Sequence, residues 1–113
     1  VAETSIMTAL MGVIAERKAQ TTGKPSYVAN LMKGGGGAIG AKLIEEAAEV
    51  VEASDEPGDA GREHLVKEVA DLIFHTAVLL GYRDLSWDDV EAELQRRFGT
   101  SGLTEKASRK PKT

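Results

Sequence analysis

The chain contains no cysteine, which removes a disulfide framework, a thiolate nucleophile and any sulfur-ligated metal site, and suits a reducing compartment. Long apolar runs are missing as well. Ala9 to Ala15 is the longest near the start, far short of the ~20 residues of a membrane-spanning helix, and no basic segment precedes it. A cytoplasmic protein with no membrane partner is therefore expected. The first residue is Val1 rather than Met, so trimming at the extreme N-terminus is expected too. Positive charge is in deficit, with a net charge of −4 and a pI near 5.2. That balance argues against a general nucleic-acid or anionic-membrane surface, although it leaves room for local basic sites. Internal repeats are absent, and no run shows the alternation of a half-buried strand. At 113 residues the chain makes one small domain, with a core that is adequate but not generous.

What is present is helical period almost throughout, so the expected fold class is all-α, a helical bundle. Ile6, Leu10, Val13 and Ile14 place a first helix from about Thr4 to Ala19, closed by the breaker Thr21-Thr22-Gly23-Lys24-Pro25. Pro25 suits the opening turn of a short second helix, which carries Tyr27, Val28, Leu31 and Met32 and ends at Gly34. A third helix is expected from about Ala38 to Ala53, with Ile39, Leu43, Ala47, Val50 and Val51 facing the core, followed by a linker from Ser54 to Gly61. The fourth spans roughly Arg62 to Leu80, with Leu65, Val69, Leu72, Ile73, Thr76 and Leu79 on one broad face. Ser86-Trp87-Asp88-Asp89 has the form of a capping box and opens a last helix to Phe98, with Gly99 as its stop. Residues 1–99 form the expected domain. The tail 100–113, with Lys106, Arg109, Lys110 and Lys112 among small residues, reads as a solvated, partly disordered end, against a role in covering an active site or a partner subunit.

Two acidic clusters dominate the chemistry: Glu45-Glu46-x-x-Glu49 and, further on, Glu68-x-x-Asp71. Helical spacing projects Glu46 with Glu49 and Glu68 with Asp71, and puts Glu45 beside Glu49. Like charges so placed repel by a few tenths of a kcal/mol per pair, and Lys42 offsets this only in part. From Val69 to Leu80 the only polar side chains are Asp71, His75 and Thr76, so this helix, and Asp71 with it, is expected to be buried. A buried carboxylate without a partner takes up a proton unless a cation or hydrogen bonds hold it ionised. Few basic side chains lie nearby, so a metal ion is inferred: an all-oxygen site suited to Mg²⁺, with Mn²⁺ as a substitute. The plainer alternative for the first cluster is a solvated acidic face. A di-iron bundle would want Glu-x-x-His, and here Glu68 is followed at that spacing by Asp71.

His75, one turn after Asp71, is either a satisfied core histidine or a partner of the ligands, a phosphate contact or a proton carrier. His64 reads as surface. Gly35-Gly36-Gly37-Ala38-Ile39-Gly40 satisfies the letters of a dinucleotide fingerprint, but no strand precedes it, and no Walker A lysine follows Gly40. It is expected to be a flexible loop, either a simple connection or a cradle of N–H groups for a phosphate.

These residues resemble a known family. Glu-Glu-x-x-Glu followed after about twenty residues by Glu-x-x-Asp is similar to the all-α nucleoside triphosphate pyrophosphatases of the MazG-like superfamily. Glu16-Arg17-Lys18, Ser26-Tyr27, Leu31-Met32-Lys33-Gly34, Lys42 to Val50, and Glu68 to Leu72 with His75 resemble its phosphoribosyl-ATP pyrophosphatase branch in histidine biosynthesis. Gly102-Leu103 and Glu105-Lys106-Ala107 add to that likeness. The resemblance implies a homodimeric, Mg²⁺-dependent enzyme that converts phosphoribosyl-ATP to phosphoribosyl-AMP and pyrophosphate. It implies Glu46, Glu49, Glu68 and Asp71 as metal ligands, and Glu45 as ligand of an additional ion or as the group that orients the attacking water. Arg17, Lys18, Lys33, Lys42 and His75 are the expected phosphate contacts. The chain departs from the family at Ile44, where glycine is common, at Phe74, where tyrosine is, and in a longer, less basic stretch from Gly35 to Ala41. The rival functions are a house-cleaning nucleoside triphosphate pyrophosphatase and a non-catalytic helical dimerisation module.

Overall fold

A computed structural model describes residues 5–20 and 26–99. Among them run the helices α1 (Ile6–Ala19), α2 (Tyr27–Lys33), α3 (Gly35–Ser54), α4 (Gly58–Tyr82) and α5 (Trp87–Phe98), with no strand. The fold is all-α, and no helix of the described residues is long and apolar enough to cross a membrane. The expected start at Thr4, the breaker from Thr21 to Pro25 and the tail after Gly99 lie outside the described residues.

Short polar side chains start three of the helices. Ser5 Oγ accepts the Thr8 N–H at 3.1 Å, Ser26 Oγ accepts the Ala29 N–H at 2.9 Å, and the Asp89 carboxylate takes the Ser86 N–H at 2.8 Å. Each satisfies a backbone donor that the helix itself leaves open, worth about 1 kcal/mol. The capping box read from the sequence is thus present.

The glycine run corrects the expectation of a loop. Gly34 alone separates α2 from α3, and Gly35, Gly36 and Gly37 form the first turn of α3. Gly35 has φ +74°, which suits glycine, and a side chain there would meet the Tyr82 hydroxyl. Glycine is a poor helix former, at roughly 1 kcal/mol per residue relative to alanine. Here packing outweighs propensity, because the turn leads directly into Ile39, which is fully buried. The linker is shorter than expected for a related reason. α4 begins at Gly58, and Gly61 lies so close to the Glu56 backbone that a Cβ would overlap the Glu56 carbonyl.

α3 and α4 form an antiparallel hairpin: Gly35 lies by Tyr82 and Glu46 by His75. Around the end made by the start of α3 and the end of α4, Ile14, Val28, Ile39, Ala77 and Val78 form a buried core, flanked by Leu10, Met32, Phe74 and Tyr82. α1 crosses α4 closely where Gly81 offers no side chain; a Cβ there would come 2.6 Å from Ile14 Cγ2. Full burial of Ile14 or Ile39 contributes roughly 1.5–3 kcal/mol each.

The rest of the hairpin is less covered than its apolar content suggests. Between Val69 and Leu80 only His75, Ala77 and Val78 are buried, and Asp71 is exposed, which overturns its expected burial. On α3, Leu43 and Val50 are half-buried while Ala47 and Val51 face solvent, and on α1 Ile6 and Val13 do so. Ile44, Val51 and Val66 are 75%, 64% and 69% exposed. The apolar faces of α3 and α4 are wider than α1 and α2 can cover.

Candidate functional site

The buried residues of α3 are Ile39, Glu46 and Ala53, seven apart and so on one stripe of the helix. Glu46 is the charged member of that stripe, 6% exposed. Its Oε2 has no hydrogen-bond partner among the described residues. Its Oε1 is 3.9 Å from Lys42 Nζ and 4.0 Å from His75 Nδ1, both too long for a hydrogen bond. A buried carboxylate oxygen left so costs about 1–3 kcal/mol or more unless something else meets it. The problem that the sequence assigned to Asp71 belongs to Glu46.

Glu46 also joins two groups of carboxylates. Oxygens of Glu45, Glu46 and Glu49 lie within 4.8 Å of one another, and so do oxygens of Glu46, Glu68 and Asp71. Oxygens on opposite sides of a Mg²⁺ are about 4.2 Å apart, from bond lengths near 2.1 Å. All donors are hard oxygens, and their depth runs from buried Glu46 through half-buried Glu49 and Glu68 to exposed Asp71 and Glu45. The residues present fit a hard divalent cation. Burial and mutual charge act on these carboxyl groups together. Partial burial, then the carboxylates of Glu46, Glu68 and Glu45, raise the Glu49 pKa above its ordinary value. The hydrogen bond from Lys42 to Glu45, at 2.8 Å, lowers that of Glu45.

Both histidines are tied to this hairpin. His75 is buried; its Nδ1 lies 2.9 Å from the Asp71 carbonyl and its Nε2 2.7 Å from the Tyr27 hydroxyl. A carbonyl only accepts, so Nδ1 carries the proton, and in the neutral ring Nε2 accepts from Tyr27. With both nitrogens engaged, His75 is the satisfied core histidine rather than a free phosphate contact. His64, expected to be plain surface, bridges Glu56 and Glu68, at 2.9 Å from each. Those two carboxylates raise its pKa.

The basic residues divide. Lys42 is at the carboxylates. Lys18 is not: its ammonium donates to the Gly81 and Tyr82 carbonyls at 3.0 Å each and to Asp84 at 2.7 Å. Three donors meet three acceptors, so an expected phosphate contact is a helix cap. A hollow of about 580 Å³ beside it, lined by Met11, Ala15, Gly81 and Leu85 among others, contains none of the clustered carboxylates. Arg17 and Lys33 are exposed on α1 and α2.

Residues 7–98 match the family model described as phosphoribosyl-ATP pyrophosphohydrolase. The chain belongs to that family. It is similar to the phosphoribosyl-ATP pyrophosphatase of Rhodopirellula baltica, at 51% identity over 95% of this chain and 85% of the relative. Proteins of the same name from Geobacter metallireducens (52% identity, 92% of each chain) and Chromobacterium violaceum (53%, 85% of this chain and 86% of the relative) are also similar. The matched span of the phosphoribosyl-ATP pyrophosphohydrolase family takes in both carboxylate triads and Lys42. Two features of the site went unread in the sequence although a signal for each is there. Glu46 is seven residues from both Ile39 and Ala53, and His64 is one helical turn before Glu68.

Proposed function

We propose that the chain hydrolyses phosphoribosyl-ATP to phosphoribosyl-AMP and pyrophosphate, a step of histidine biosynthesis, and that it depends on Mg²⁺, with Mn²⁺ as substitute. Membership of the phosphoribosyl-ATP pyrophosphohydrolase family supports the substrate. The observation that carries the metal dependence is the buried, unpartnered oxygen of Glu46, common to two carboxylate triads. Glu46, Glu49, Glu68 and Asp71 would hold the cation, and Glu45 would either hold a further one or orient the attacking water. The bound cation supplies neutralisation of charge on the phosphate oxygens and a lowered pKa for water beside them. Around it the protein positions groups. Water adds at a phosphoanhydride phosphorus, the bond to the departing pyrophosphate breaks, and the water's proton is lost to a neighbouring base. Lys42 fixes the Glu45 carboxylate and, with Arg17 and Lys33, meets phosphate oxygens.

The protein is further proposed to act as a homodimer in the cytoplasm. The exposed side chains of Ile44 and Val51 on α3 and Val66 on α4 support the dimer, since a second copy would cover them; the lack of cysteine is compatible with the compartment. Pyrophosphate release from phosphoribosyl-ATP and from ordinary nucleoside triphosphates, each with Mg²⁺, tests the substrate. Equal or faster turnover of the ordinary nucleotides overturns it in favour of a house-cleaning enzyme. Sedimentation of the wild-type chain and of Val66→Lys tests the dimer, which the lysine should weaken.

A further inference from the structure

Glu68 does not stand alone at the edge of the carboxylate cluster. His64, four residues earlier on α4, places Nε2 2.9 Å from Glu68 Oε2, and its Nδ1 is 2.9 Å from Glu56 Oε2. The backbone sets this up. Gly61 lets the Glu56 backbone close onto the first turns of α4, where any Cβ would collide with it. Glu56 is thereby brought beside a histidine eight residues further along the chain. The result is a row, Glu56 to His64 to Glu68, whose last member belongs to the triad with Glu46 and Asp71. Glu68 is mostly buried, its side chain 15% exposed, whereas His64 and Glu56 are 41% and 46% exposed. The row therefore runs from solvent inward to the ligand.

We infer that His64 is a positioning residue for the cation site: anchored by Glu56, it holds one oxygen of Glu68 and so fixes the direction in which the carboxylate meets the ion. A carboxylate has two oxygens, so a hydrogen bond to one leaves the other for a cation. The three side-chain torsions of a glutamate are costly to immobilise on binding, and a fixed donor removes part of that cost beforehand. Partners of this kind behind a ligand are typically worth about 10–100-fold in metal affinity or activity. The inference rests on the proposal that Glu68 is a metal ligand, and the two are separable by experiment.

The measurement is Mn²⁺ affinity of the full, metal-free chain at one pH, read from the electron paramagnetic resonance of free Mn²⁺, with circular dichroism and thermal melting alongside. His64→Ala is expected to weaken Mn²⁺ binding about tenfold with helix content unchanged. His64→Gln, whose amide nitrogen reaches the place of Nε2, is expected to restore most of that loss. Glu56→Gln is expected to weaken binding less than His64→Ala does. In a Glu68→Gln background, which is itself weakened, His64→Ala is expected to add nothing. If Glu68→Gln binds Mn²⁺ as the wild type does, the metal assignment falls and takes this inference with it. If Glu68→Gln is weakened but His64→Ala is unchanged or tighter, or loses the same factor in both backgrounds, the positioning role is wrong while the metal assignment stands.

Discussion

The two ends of the α3–α4 hairpin are built on opposite terms. At one end Ile39, Ala77 and Val78 meet Ile14 of α1 and Val28 of α2, and the polar groups there have partners: His75 holds Tyr27 and Asp71, and Lys18 caps α4. Toward the other end lie the carboxylates, an unpartnered buried oxygen, and exposed Val51 and Val66. Among the described residues one end has its polar groups partnered; the other holds a buried charge without a partner, where the proposed cation and second copy would lie. Substitutions at the first should therefore register in stability, and at the second in activity.

The largest effect should come from Glu46→Gln. Hydrolysis is expected to fall at least about 100-fold, roughly 2.7 kcal/mol of transition-state stabilisation, while the metal-free protein melts no lower than wild type because a repulsive buried charge is gone. A large drop in melting temperature with activity retained would break the comparison. The mirror test is Ile14→Ala, expected to lower unfolding free energy by about 2–5 kcal/mol in a denaturant titration, with turnover of the remaining folded protein nearly intact. Lys18→Ala should cost about 1 kcal/mol through the loss of a cation at the α4 C-terminus; if it instead raised KM for the nucleotide with melting unchanged, its reading as a cap would be wrong. Gly37→Ala should stabilise by about 0.5–1 kcal/mol, since a Cβ there meets nothing within 4 Å. Thermal melting of the variant checks this.

The smallest effect lies outside both ends. Arg96 and Arg97 hold the Glu93 carboxyl down to about 2 from its ordinary 4.5. A lowered carboxylate pKa contributes stability that is present above pH 4.5 and is lost as pH falls through about 2. Glu93→Gln should therefore be slightly less stable than wild type at neutral pH and converge with it in strong acid. Both ion pairs are exposed, so the difference is expected to be small.

Helix identity and the carboxylate spacing were legible because both are local: period, caps and the i to i+3 relation depend only on near neighbours. Burial was not. A run such as Val69 to Leu80 shows how much apolar surface α4 presents, but which side is covered depends on where α1 and α2 land, and they cover only one end. Hence Asp71 was expected inside and is outside, while Glu46, on the stripe of Ile39 and Ala53, is the buried acid. The glycine run is helical because packing pulls Ile39 inward, and propensity alone carries no trace of that packing. The partners of Lys18 are 63 to 66 residues away, and Glu56 reaches His64 only across a turn that Gly61 makes possible, whereas Glu68, one helical turn from His64, is a local relation.

The cation proposed at the unpartnered oxygen of Glu46 would also have a consequence for how the protein is handled. A cation that binds only the folded chain raises its stability by mass action, by about 2.7 kcal/mol at a concentration one hundred times the dissociation constant. For a small domain with a modest core, that is a substantial share of the whole. Chelator in a purification buffer would then act as a mild denaturant, and melting temperatures compared between preparations would report residual metal before they reported sequence.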